Sequence, residues 1–218
     1  MIMQLRSMAL VAIASLGIVI PVALSQRLVP SPANQSANNS AQNLAQNNGM
    51  MHHGGMMHDM QVSSEFDYLT QMIPHHQEAI DSAQLVLAGS NRPEMKRFAE
   101  EIIQVQSAEI KQMQQWLSEW YPERDTTVSY NPMMRNLDNL QGNALDQTFL
   151  EDMVIHHMGA VMMSQMLLNR NLVEHEPVRP FAQEIATTQR QEIIQMQTWL
   201  QDWFNVTGMP GHGPGMMH

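Results

Sequence analysis

The sequence predicts an all-α fold, an antiparallel four-helix bundle made of two repeated helical hairpins. Two observations carry the prediction. The first is an internal repeat, which has to be found before any fold is assigned. Met72-Ile73-Pro74-His75-His76-Gln77-Glu78-Ala79 returns as Met153-Val154-Ile155-His156-His157-Met158-Gly159-Ala160, 81 residues on. A second stretch, from Gln106 to Leu117, returns 83 residues on from Gln189 to Leu200 and keeps Glu109/Glu192, Ile110/Ile193, Met113/Met196, Trp116/Trp199 and Leu117/Leu200. The second observation is four stretches of helical length separated by Gly, Pro and Asn. Each hairpin alone has too little core, and stacking the two supplies it.

The elements follow in order. Ser63 or Ser64 caps a first helix over about 65–88, with Asp67 favourable in its first turn. Gly89-Ser90-Asn91 stops it. Pro93 opens the second helix, which runs to about 120 along a stripe of Ile102, Val105, Met113, Trp116 and Trp120, with Pro122 closing it. Residues 121–143 read as a linker punctuated by Asn131-Pro132 and Gly142. The third helix spans about 144–170. The fourth spans about 177–205, with Pro177 or Pro180 in its first turn. Pro74 falls inside the first helix, where it removes an amide donor and favours a kink; alternatively, the helix starts near Pro74. Trp116 with Trp199, Trp120 with Trp203 and Phe98 with Phe181 are expected at equivalent core positions, and residues 64–120 and 144–205 form the two hairpin repeats.

Outside the repeats the chain changes character. Residues 1–25 resemble a secretory signal: Arg6, an apolar run over 10–22, then the small-x-small Ala23-Leu24-Ser25. Cleavage there removes one cation and no acid, taking the formal charge from -10 to -11. An uncleaved membrane anchor is the alternative. Residues 26–63, rich in Asn, Gln and Ser, read as a disordered tether that has too little apolar surface to order itself. The acidic balance argues against nucleic acid as a partner.

The chain holds 22 Met and 10 His but no Cys. Thioethers are soft ligands favouring Cu(I), and imidazole suits copper. Absence of thiols fits an oxidising compartment. The tether contains Met50, Met51, His52, His53, Met56, Met57 and His58 among glycines, and the 206–218 tail contains His212, Met216, Met217 and His218. Short tracts of this kind read as metal-binding. On the helices, residues four apart share a face, which pairs Met72 with His76, Met153 with His157, and Met162 with Met166. Met113 and Met196 come from the second helix of each hairpin. With His75, His156, Met158 and Met163 these are the candidate ligands of ions held between hairpin helices, with Ala79 and Ala160 leaving room. Packing alone is the alternative for each Met. Adjacent histidines point about 100° apart on a helix, so one of each pair is expected outside the core. Glu109 and Glu192 either orient a His ring or decorate a polar face. His175 reads as a surface group.

Several chemistries lack their residues. A carboxylate di-iron bundle needs Glu-x-x-His, and no Glu is followed by His at that spacing. No Gly-x-Ser-x-Gly elbow, phosphate loop or His-Glu-x-x-His is present. The residues therefore suggest a copper binder without catalysis, with a metal-responsive interaction module or a Cu(I) oxidase as alternatives.

The His-His segments resemble those of the bacterial ferritin-like domain of unknown function marked by Met-Ile-x-His-His, over about residues 64–204. The family pattern His-His-x-Gly-Ala-x-x-Met-Ala is matched by His156, His157, Gly159, Ala160 and Met163, with Ser164 in place of the last Ala. The first copy keeps His75, His76, Ala79 and Ala83 but has Glu78 for the Gly and Ser82 for the Met. The resemblance implies Cu(I) and Ag(I) binding, Cu(II) also being accepted, in the periplasm or after secretion, with the fuller site in the second hairpin. It also implies a role in copper resistance by sequestration or by transfer to a membrane sensor kinase or efflux system. The protein is expected to be a monomer or weak dimer.

Overall fold

The computed structural model describes residues 61–207. The leader, most of the tether with its Met/His tract, and the Met/His tail lie outside the described residues. Among the described residues there are four helices: α1 (Glu65–Gly89), α2 (Pro93–Trp120), α3 (Gly142–Asn169) and α4 (Val178–Phe204).

Local chemistry sets their ends. The Ser64 hydroxyl accepts the Asp67 amide at 3.0 Å, satisfying one orphan donor at the start of α1. Pro93 is the first residue of α2. Gly142 opens α3 at φ +54°, a conformation that costs a residue with a Cβ. Asn205 ends α4 in the left-handed region at φ 56°, its amide returning to Gln201 and Leu200. Helix α1 runs unbroken past Pro74, so the alternative start near that residue is not the one adopted.

Helix α1 packs on α2 and α3 packs on α4, and the hairpins meet through α1 and α3. The central pair runs antiparallel. Tyr68 of α1 meets Ser164 of α3 at 3.0 Å between hydroxyls, and the far end of α1 meets the start of α3. There Gly89 allows close approach: a Cβ on it would come within 2.6 Å of the Leu145 side chain. Helices α2 and α4 reach one another by the same aromatic contact made twice. Phe98 stands edge-on to Trp199 at 5.4 Å, and Phe181, its repeat equivalent, edge-on to Trp116 at 4.9 Å.

The apolar interior divides in two. One core gathers Phe66, Leu69, Met72, Met113, Leu167 and Phe181 with their neighbours. The other gathers Val86, Phe98, Ile102, Phe149, Met153 and Met196 with theirs. The His-His segments fall between the two. Val62 is already buried, so the packed body begins before Ser64.

Three expectations are corrected. Val105 is 43 % exposed: residues three and four apart drift around a helix, and Val105 has drifted off the buried stripe. Trp120, Trp199 and Trp203 are half-buried, because they stack in pairs toward the bundle ends (Trp116 on Trp120, Trp199 on Trp203) rather than inside the cores. His175 is no ordinary surface group. It stacks on Trp120 at 4.0 Å and places Nδ1 2.7 Å from the fully buried Glu65. Among the described residues no helix is long and apolar enough to cross a membrane.

Candidate metal centre

Both histidines of each pair are buried. His75 is 1 % exposed, and His76, His156 and His157 are 0 %. The expectation that one of each pair faces outward is wrong. It assumed a helix with one buried face, whereas α1 and α3 each pack on two neighbours. A 100° step then turns one ring toward the helix's own hairpin partner and the other toward the second hairpin.

The intra-hairpin rings occupy matching settings. Nε2 of His76 lies 2.8 Å from the Glu109 carboxylate, and Nε2 of His157 lies 2.7 Å from that of Glu192. These two acids hold the rings, which favours the orienting role over surface decoration. Met72 precedes His76 by one turn, and Met113 follows Glu109 by one turn. In an antiparallel hairpin these steps run to the same level, and both thioethers are fully buried in one core. Met153 and Met196 repeat the arrangement beside His157 and Glu192 in the other core. Each hairpin therefore carries an imidazole and a carboxylate at one level and two thioethers one turn away.

The inter-hairpin rings face each other. His75 and His156 lie 3.7 Å apart between centroids, tilted by 34°. Burial pushes the imidazole pKa of His75 well below its ordinary value, and the neighbouring His156 adds to the shift. Burial lowers His156 too, against the opposing pull of Glu78. Both rings are therefore neutral near pH 7, the state in which imidazole binds metal.

Here the repeats differ. Nε2 of His156 lies 3.4 Å from Glu78, while the equivalent position opposite His75 is Gly159. Glu78 also anchors the linker. Its carboxylate accepts the Tyr130 hydroxyl and the amides of Met133 (2.8 Å) and Met134 (2.9 Å). Burial alone would raise its pKa, but His156, Tyr130 and the Met134 amide outweigh that and hold it below the usual range. The Tyr130 ring stands edge-on to His75 at 6.4 Å.

Sequence reasoning missed Glu78 as an anchor and the burial of Gln106 and Gln189. The two glutamines are 3 % exposed, and neither has a partner for its amide oxygen. A signal for them was present, since they head the second shared stretch in both copies. Of the remaining candidates, Met163 is buried, Met158, Met162 and Met166 are half-buried, and Met162 and Met166 border a shallow surface depression. No group of three or more His, Asp or Glu poised for a metal is found among the described residues. The buried thioethers add soft donors to the imidazoles.

The layer fits a soft ion. Both ring nitrogens of His75 and Nδ1 of His76, His156 and His157 are buried without a hydrogen-bond partner, while Nε2 of His156 has the Glu78 carboxylate at 3.4 Å. Unsatisfied buried polar groups are rare and costly, and an ion is one of the few things that satisfies them.

Comparison with known proteins follows the same line. A family model described as "Domain of unknown function (DUF305)" matches residues 65–200 and 146–218. Among solved structures, "CopM in the Cu(I)-bound form" is 32 % identical with a TM-score of 0.59, covering 66 % of this chain and 99 % of that one. "CopM in the Ag-bound form (by co-crystallization)" is likewise 32 % identical, TM-score 0.57, with the same coverage. A DUF305 fragment from Deinococcus radiodurans is 27 % identical, TM-score 0.56, covering 64 % and 96 %. No match was found among curated proteins.

Proposed function

Because this chain belongs to the DUF305 family, and because its bundle resembles CopM structures carrying Cu(I), Cu(II) and silver, we propose that it is a copper-binding protein. Its cargo is Cu(I), with Ag(I) accepted by the same soft donors and Cu(II) by the imidazoles. It works in the periplasm or after secretion and contributes to copper resistance by sequestering the ion or handing it on. One observation carries this reading. Buried imidazoles, each with at least one ring nitrogen lacking a partner, lie between levels of buried thioethers, a donor set that selects a soft monovalent ion.

We assign Met72, His76 and Met113 to one site, and Met153, His157 and Met196 to its repeat. His75 and His156 form a shared pair between the hairpins. Glu109 and Glu192 fix ring orientation. The tether and tail tracts add donors of the same chemical kind.

Anaerobic titration of the mature protein with Cu(I) against a coloured Cu(I) chelator tests the reading. The protein is expected to retain more than one ion under competition. Complete loss of copper to the chelator refutes it.

A second reading is favoured by the Glu78 anchor. It ties the linker to a carboxylate that touches His156. Metal at the His75–His156 pair would then alter the linker surface, which a membrane sensor or efflux partner can read. Faster linker amide exchange on loading with Ag(I) is the expected sign of it.

A further inference from the structure

The four imidazoles have almost no contact with solvent, so an ion needs a way in. A cleft of about 430 Å³ lies between α1 and the inter-hairpin linker. Glu78, Asp81, Met134 and Asp138 are among the residues that line it. Its cation, Arg135, is committed to Asp152 and Glu151, at 2.8 Å from each. The free charge facing the cleft is therefore negative, which concentrates cations.

Acidic lining alone would mean little. Here the cleft leads to a buried acceptor. Glu78 borders the cleft on one side and on the other lies 3.4 Å from Nε2 of His156, which is 0 % exposed and whose Nδ1 has no hydrogen-bond partner. Met134 is among the lining residues, and its main-chain amide on Glu78 fixes the segment there. A soft donor outside, a carboxylate between and an imidazole inside form a graded series of ligands. The neighbouring Met133 donates its amide to the same carboxylate but does not line the cleft.

We propose that this cleft is the port by which a soft monovalent cation reaches the interior, Met134 receiving it and Glu78 passing it to His156 and His75. The port rests on the copper-binding reading above. It adds a role for two residues outside the helical ligand set and predicts a kinetic effect rather than a thermodynamic one.

The test uses full-length protein, labelled with 15N, partly loaded with Ag(I). The ring resonances of His156 report exchange between free and loaded forms. In Met134→Leu the main-chain anchor and the side-chain volume are kept, so the exchange rate is expected to fall about tenfold in both directions, a raised barrier of one decade. The populations of free and loaded His156 should stay unchanged, and Met133→Leu should exchange like the wild type. An unchanged rate in Met134→Leu overturns the port. So does an equal slowing in Met133→Leu, which would indicate general softening of the linker. If His156 fails to respond to Ag(I) in the wild type, the copper-binding assignment of this pair falls first, and that is visible before any variant is made.

Discussion

Glu78 lies 3.4 Å from Nε2 of His156, and Gly159, its equivalent in the second repeat, returns nothing to His75. One substitution between otherwise parallel repeats thus makes the two central histidines inequivalent. It also gives the linker an anchor inside the bundle. A carboxylate accepting main-chain amides is a strong, charge-assisted partner.

Removing that anchor should be costly. Glu78→Ala leaves the Met133 and Met134 amides and the Tyr130 hydroxyl without their acceptor. A loss of about 3 kcal/mol is expected, since bonds to charged groups contribute roughly 1.5–3 kcal/mol each and are not additive. Tyr130→Phe removes one bond and should cost about 1 kcal/mol. Urea unfolding of the metal-free protein measures both. If Glu78→Ala stays within about 0.5 kcal/mol of the wild type, the anchor contributes little to the fold.

The thioethers can be removed with little harm to packing. Leu replaces Met at nearly equal volume and usually costs less than about 1.5 kcal/mol. Met153→Leu with Met196→Leu should therefore leave the thermal midpoint of the metal-free protein nearly unchanged. It should lower the Ag(I) stoichiometry by one ion, because sulfur supplies the preference for a soft cation. Equal stoichiometry in the double variant would show that these two side chains only fill the core.

Much of this was legible from residues. The helix ends follow from Ser64, Pro93 and Pro177, and the pairing of helices follows from the repeat. The shared levels of Met and His within each hairpin follow from i, i+4 spacing. The burial of all four histidines was not legible, because a helix seen as a sequence shows one apolar stripe. Only the bundle reveals that α1 and α3 are flanked on two sides. A clue existed in α3, where Phe149, Leu150, Met153, Val154, Val161 and Met163 ring much of the circumference. Nor was the reach of Glu78 legible. Its partners Tyr130, Met133 and Met134 are more than fifty residues away in a segment without regular structure.

The histidine layer should make stability depend on pH. Burial, then the neighbouring imidazole, holds His75 well below its ordinary pKa, and burial lowers His156. An unfolded chain takes up these protons near pH 6.5, and the folded one resists until lower pH. Protons therefore favour the unfolded state. The contribution is complete above about pH 6.5 and is lost as pH falls toward the folded values, at about 1.4 kcal/mol per unit for each ring. Urea unfolding at pH 7.5 and 5.5 should show the lower stability at 5.5. His75→Gln with His156→Gln should flatten that slope, and an unaltered slope would assign it to other groups.

The two ends of the bundle close with the same device built from different residues. At one end Arg92 sits 3.3 Å from Asp146 and over the ring of Trp203 at 4.5 Å. At the other, His175 sits 2.7 Å from Glu65 and stacks on Trp120 at 4.0 Å. Asp146 follows Glu65 by the repeat step of 81, and His175 and Trp203 follow Arg92 and Trp120 by 83. The ends differ in how fully the acid is used. Glu65 is 0 % exposed and accepts the amides of Glu174 and His175, the His175 ring and the Tyr121 hydroxyl. Burial, then the charges of Glu65 and Glu174, pushes the Tyr121 hydroxyl pKa upward, which keeps it a donor. Asp146 has no comparable set, and burial raises its carboxyl despite Arg92. Glu65→Ala should therefore cost about 3–5 kcal/mol, the range for breaking a buried charged network. Asp146 is equally buried but loses fewer partners, since Arg92 keeps Asn143 and the Trp203 ring, so Asp146→Ala should cost about 1–3 kcal/mol. Urea midpoints of the two variants, measured with equal denaturant dependence, should fall in that order. The reverse order would mean that the Arg92 end, not the His175 end, holds the hairpins together.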